Sequence, residues 1–162
     1  MNNQLEKIGL EKLNENAAST DALQIGKFEK LLKISLPEDY KNFLEKYGNT
    51  MTFSQEVQYK PLEKSAWTKK NGYAGFELFY GLEKDDNNLI ERMKTFKKRI
   101  PESFIPIAEA PGGNQILLGV KKDDQYGKVY FWDHESRGTN KDDIYLIAAS
   151  FNYFVKSFEL DQ

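Results

Sequence analysis

Asp133, His134 and Glu135 follow one another at the end of the aromatic run "KVYFWDHE", and His134 is the single histidine of the chain. An imidazole flanked by two carboxylates is the pattern of a general base with its acidic neighbours. Asp133 and Glu135, two apart on a strand, would share a face at about 6 to 7 Å, a separation that glycoside hydrolysis can use. A lone histidine builds no histidine-rich metal site, and with no cysteine in the sequence there is no thiolate, disulfide or cysteine-ligated zinc. Neither a metal nor a cofactor is expected. Acid–base catalysis also requires a reactive partner and a pocket, which these residues do not supply. The plainer reading is a histidine at a strand end bonded to a turn. A small hydrolase or glycosidase built on Asp133, His134 and Glu135 is the alternative.

Three other stretches resemble chemical sites. "PGGN" at Pro111–Asn114 lacks both GxGxxG and the GK[ST] ending of a phosphate cradle, so its glycines are read as a tight turn at positive φ. "NKDD" at Asn140–Asp143 echoes the guanine-reading sequence of GTPases, but without a phosphate-binding loop it is a chance match. Tyr80, Tyr130 and Trp132 could stack bases only beside a basic groove, and the sequence shows none. Trp67 differs from the other aromatics. It lies in the polar segment "EKSAWTKKNGY" with no apolar period around it, as an exposed interface anchor or a lid packed over the sheet would.

Composition narrows the classes. The 162 residues fit one domain, and 40% hydrophobic with 14% aromatic residues suffice for a true core. A formal charge of −2 argues against direct nucleic-acid binding, which a cationic field drives, and leaves room for a basic partner. The opening "MNNQLEKIGLEKL" has neither a basic nor an apolar leader region, and no window is apolar over a membrane length. The protein is expected in the cytoplasm, away from membranes.

The elements that must position these residues follow from periodicity. Leu5, Ile8 and Leu13 suggest a first short helix. A second covers "STDALQIGKFEKLLKI", with Ser19 or Thr20 as its cap and Leu23, Phe28, Leu31 and Leu32 as its buried stripe. "LPEDYKNFLEKYGN" forms a third, with Pro37 in its first turn, Tyr40, Phe43, Leu44 and Tyr47 inward, and Gly48 as a left-handed stop. "MTFSQEVQY" and "GFELFYGL" read as strands. "DNNLIERMKTFKKRI" returns to helix on Leu89, Met93 and Phe96, and the chain ends in a strand and a helix burying Phe151, Phe154, Val155 and Phe158. "NQILLGV" and "KVYFWDH" form a hairpin around "KKDDQYG". Setting Val120 opposite Val129 places Leu118 against Phe131 and Ile116 against Asp133, with Tyr130 over Gly119 on the other face. This register brings Gly112, Gly113 and Asn114 beside Asp133, His134 and Glu135.

"FEKLLKISLPEDYKNFLEKYGN", then "FIPIAEAPGGNQILLGV", "GKVYFWDHE" and "SFNYFVKSF", resemble in their order the SUKH superfamily of immunity proteins from bacterial polymorphic toxin systems. The resemblance is strongest over residues 28–158 of a single domain spanning 1–162. It implies an α+β fold, an antiparallel sheet with N-terminal and C-terminal helices packed on it, and no enzymatic activity. It also implies a role as antidote: binding the C-terminal toxin domain of a secreted effector, often a nuclease, and blocking it in the cytoplasm. Leu36, Pro37, Tyr40, Gly48, Gly112, Gly113 and Trp132 carry the resemblance, which by itself marks none of them as a contact. The expected contacts are two acidic clusters that need no internal role: Glu83, Asp85 and Asp86 in "LEKDDNN", and Asp133 with Glu135. Acidic and aromatic side chains would cover a basic nuclease cleft in place of phosphate, with Trp67 and Tyr80 as apolar anchors.

Overall fold

A computed structural model describes residues 4–135 and 143–162. Its frame is a seven-stranded sheet in the order β1-β2-β5-β6-β7-β8-β9, every neighbouring pair antiparallel. These strands are β1 (Leu10–Lys12), β2 (Met51–Phe53), β5 (Leu78–Phe79), β6 (Phe104–Ala110), β7 (Asn114–Gly119), β8 (Val129–Trp132) and β9 (Ile144–Ala148). A second antiparallel sheet joins β3 (Val57–Tyr59), β4 (Ala74–Gly75) and β10 (Glu159–Leu160) in the order β10-β3-β4. The α+β class holds, with two sheets where the sequence suggested one.

Helices α2 (Ala22–Leu32), α3 (Glu38–Tyr47) and α5 (Phe151–Lys156) contribute to one large core. Its centre is aromatic: Phe43 lies 4.8 Å from Phe79 and 5.0 Å from Phe151, ring centroid to centroid. On the opposite face, α4 (Leu89–Phe96) and the segment after it bring Phe96 and Ile100 onto Phe104, Leu117, Tyr130 and Trp132. Covered on both faces, β7 and β8 are buried at every position, which is why "NQILLG" and "VYFW" run apolar without alternation. Pro106, which cannot donate to a ladder, sits at the β-bulge of β6.

Several expectations change. Leu13 lies outside helix: α1 (Gln4–Lys7) is one turn, the chain turns at Gly9 (φ +95), and Leu10–Lys12 pair with β2. The cap of α2 is Asp21, because its carboxylate and the Gln24 amide form a reciprocal capping box. Ile25 and Phe28 face the core with Leu32 packed against it, while Leu23 and Leu31 turn off that seam and are 66% and 64% exposed. Pro37 caps α3 from just outside it, and Gly48 has a right-handed φ of −67. What Gly48 satisfies is space, since a Cβ there would stand 2.3 Å from Thr20 Cβ and 2.5 Å from the Leu44 carbonyl oxygen. The hairpin register is shifted by two, with Leu118 opposite Val129 and Ile116 opposite Phe131. A two-residue shift preserves the faces, so Ile116, Leu118 and Phe131 still share the large core, and Tyr130 the other side.

Candidate functional site

The β6–β7 hairpin closes on Pro111–Gly113, and Gly112 and Gly113 both have φ of +80. β7 then opens with two polar residues, Asn114 and Gln115, 0% and 1% exposed. Buried amides must be bonded, and these are. The Asn114 Nδ2 amide donates to the Pro111 carbonyl at 3.0 Å, which assigns its Oδ1 as the acceptor for the backbone N–H of His134 at 3.1 Å and for its ring Nδ1 at 2.8 Å. Gln115 donates to the Gly113 carbonyl at 2.9 Å and accepts from the Tyr80 hydroxyl at 2.6 Å. Arg99 donates to the His134 carbonyl at 2.6 Å while its guanidinium lies 5.0 Å from the Trp132 ring centroid. Asn114, Gln115 and Arg99 organise this end of the sheet; the sequence places Asn114 here but singles out neither Gln115 nor Arg99. The signal was a pair of amides opening an otherwise apolar strand.

His134 and the glycine pair are neighbours as expected: a Cβ on Gly113 would lie 3.3 Å from His134 Cε1. Asp133 and Glu135 do not share a strand face, because β8 ends at Trp132 and His134 and Glu135 lie in a turn. Asp133 is buried and accepts the Glu135 N–H at 3.2 Å, an internal role as the acceptor of that turn. Chemically, His134 holds its proton on Nδ1 toward an amide rather than toward a carboxylate. No group of three or more His, Cys, Asp or Glu able to hold a metal exists among the described residues.

The other acidic cluster is also part of the fold. Glu83 accepts the Thr50 N–H at 2.6 Å, and Asp85 accepts the Asn87 N–H at 2.7 Å, its carboxyl pushed above the usual range mainly by burial. Asp86 and Glu135 are the exposed members of the two clusters. Tyr80 is 1% exposed, with its hydroxyl tied to Gln115, so it offers no surface to a partner. Trp67 combines both readings made of it: its indole tip covers Gly112, where a Cβ would stand 2.4 Å from Cη2, and it remains 38% exposed. Asn140, Lys141 and Asp142 of the "NKDD" stretch lie outside the described residues. No helix among the described residues is long and apolar enough to cross a membrane.

The model of the SMI1/KNR4 family (SUKH-1) matches residues 19–157, a span holding the glycine pair, Trp67, Trp132 and His134. A SPbeta prophage-derived uncharacterized protein of Bacillus subtilis (strain 168), YokK, is 41% identical over 143 residues, 83% of this chain and 72% of that protein. The glycine turn, the buried amide pair and the tryptophan at the end of β8 are thus features of a protein that belongs to the SMI1/KNR4 (SUKH-1) family.

Proposed function

We propose that this protein is an immunity protein that binds and blocks the C-terminal toxin domain of a secreted polymorphic toxin, a nuclease with a cationic cleft, in the cytoplasm. Membership of the SUKH-1 family carries this reading. The site supports it: Asn114, Gln115, Asp133 and the Nδ1 face of His134 are committed to internal hydrogen bonds, while Glu135, Asp86 and part of Trp67 stand at the surface. Contact falls to those exposed residues and the loops that carry them. Asp133, Glu83 and Asp85 hold Glu135 and Asp86 in place. Exposed carboxylates on a chain of net charge −2 steer a basic partner and stand in for the phosphates of its substrate.

The test is binding to the toxin domain expected in the adjacent coding region, at low and high salt, by the wild type, Glu135→Lys and Asp86→Lys. Each reversal is expected to slow association by roughly tenfold, and salt to weaken the wild-type complex. Reversals and salt without effect would defeat occlusion by acids and leave recognition to Trp67 and shape. A toxin domain that never binds would defeat the immunity reading. His134→Ala distinguishes the hydrolase or glycosidase alternative: a binder keeps nearly all its protection, whereas an enzyme using its sole histidine loses roughly a hundredfold or more.

A further inference from the structure

A groove of about 1000 Å³ opens between the C-terminal end of α2, helix α4 and the start of β6. It lies at the Val120 end of β7, whereas the glycine turn and His134 lie at the Asn114 end. Its walls are apolar, with Leu32, Ile34, Met93, Phe96, Ile100 and Val120 among them, and Leu31 stands on its lip at 64% exposed. Its ionic residues are Lys33, Lys94, Lys97, Lys121 and Lys122, against a single carboxylate, Glu102. All five lysines are exposed. Lys94 pairs with Glu91 at 3.2 Å and Lys122 lies 3.8 Å from the centroid of the Tyr126 ring. Among the described residues, no carboxylate comes within 4.0 Å of Lys33, Lys97 or Lys121. In a chain of net charge −2 this is a concentration of the opposite sign around an apolar trough.

We infer that this groove docks an acidic amphipathic helix of a protein partner, its apolar face against Met93, Ile100 and Val120 and its carboxylates toward Lys33, Lys97 and Lys121. Two flanking helices with a strand floor make the trough in which an amphipathic helix buries one face. Charge complementarity selects the acidic kind. A second copy of this chain would set lysine against lysine, and a concave surface does not match a flat bilayer. The apolar surface also continues outward at Leu31, and Leu23 two turns earlier on α2 is exposed as well, more than a small ligand in the groove would cover. The inference goes beyond the toxin reading and stands without it, because this groove is basic where the toxin-facing residues are acidic.

The probes are two synthetic helices about five turns long, each with leucine on one face, and with glutamate on the other face in the first and lysine in its twin. Binding is followed by fluorescence anisotropy and by backbone amide shifts. The glutamate peptide should bind the wild type, shift the amides of Ile34, Met93 and Val120, and weaken as salt rises. Lys97→Glu with Lys121→Glu, and separately Leu31→Asp, should each weaken it about tenfold or more. These positions are exposed, circular dichroism checks that the variants fold, and the salt dependence of the wild type decides if one does not. No binding of the glutamate peptide, equal binding of the lysine twin, or shifts mapping elsewhere would overturn the inference. So would a concentration-dependent dimer abolished by Leu31→Asp, or dodecanoate filling the groove with the same lysine dependence while the peptide stays free.

Discussion

At Gly113 the backbone has φ of +80, and the open side of its Cα faces His134, with 3.3 Å between a would-be Cβ and the ring. A β-branched residue therefore meets both a forbidden conformation and a neighbour. Gly113→Val is expected to cost about 1 to 3 kcal/mol, and an unchanged denaturation midpoint would refute the strain argument. Gly112→Ala meets the same φ of +80, and its methyl would in addition stand 2.4 Å from the tip of Trp67, a side chain already 38% exposed that can swing away. The expected result is a red shift of tryptophan emission as the indole enters water. The glycine pair was legible in the sequence because few residues except glycine accept that conformation. Gly48 was misread because a glycine serving a close approach to Thr20 and one serving a positive φ look alike in sequence. The roles of Glu83 and Asp133 were hidden for a related reason: whether a carboxylate meets solvent or a backbone N–H depends on where a distant segment, here Thr50 for Glu83, passes.

Helix α2 ends on Lys33 in the left-handed region, φ 55, the one described non-glycine residue with positive φ. Its N–H closes the helix onto the Glu29 and Lys30 carbonyls, a position where glycine is the ordinary choice. Lys33→Gly relieves that strain and gives part of the gain back as extra freedom of the unfolded chain, so a net stabilisation of about 0.5 to 1 kcal/mol is expected in urea unfolding. A lower midpoint would mean that the lysine side chain contributes more than its backbone costs. At this scale periodicity locates α2, α3, α4 and α5 and places Phe28 and Leu32 of α2 inward, but it misses Ile25 and wrongly buries Leu23 and Leu31. Leu23, Leu31 and Leu32 are equivalent to a pattern search, and only the placement of the sheet decides that Ile25 joins Phe28 in the buried seam while Leu23 and Leu31 stay outside it. The hairpin shows the opposite case. Its register was off by two, yet the faces came out right because side chains repeat every two residues.

Across the whole molecule, Tyr40, Tyr59 and Tyr80 are each 1% exposed, and burial pushes all three phenols well above their ordinary value. Unfolded tyrosines ionise near pH 10, so above that pH the unfolded chain has released protons that the folded one still holds. Stability from this source is whole below about pH 10 and should fall as pH rises beyond it. Thermal melting from pH 8 to 11 checks it; a flat profile would mean the phenols are reached by solvent. Helix α5 and the two residues after it complete the large core. Phe151, Phe154 and Phe158 come from the final stretch of the chain yet sit in the middle of its aromatic core, Phe158 4.9 Å from Phe76 and Phe154 5.2 Å from Tyr59. β10 then pairs Glu159 and Leu160 with Gln58 and Val57, about a hundred residues back. A chain ending at Ala149 is expected to show no cooperative melting. Until Phe151, Phe154 and Phe158 are in place, the sheet face they cover lacks its central aromatics. The large core therefore closes only once residues 151–160 have been made, and a nascent chain that stops short of them stays unfolded however much of the sheet it already carries.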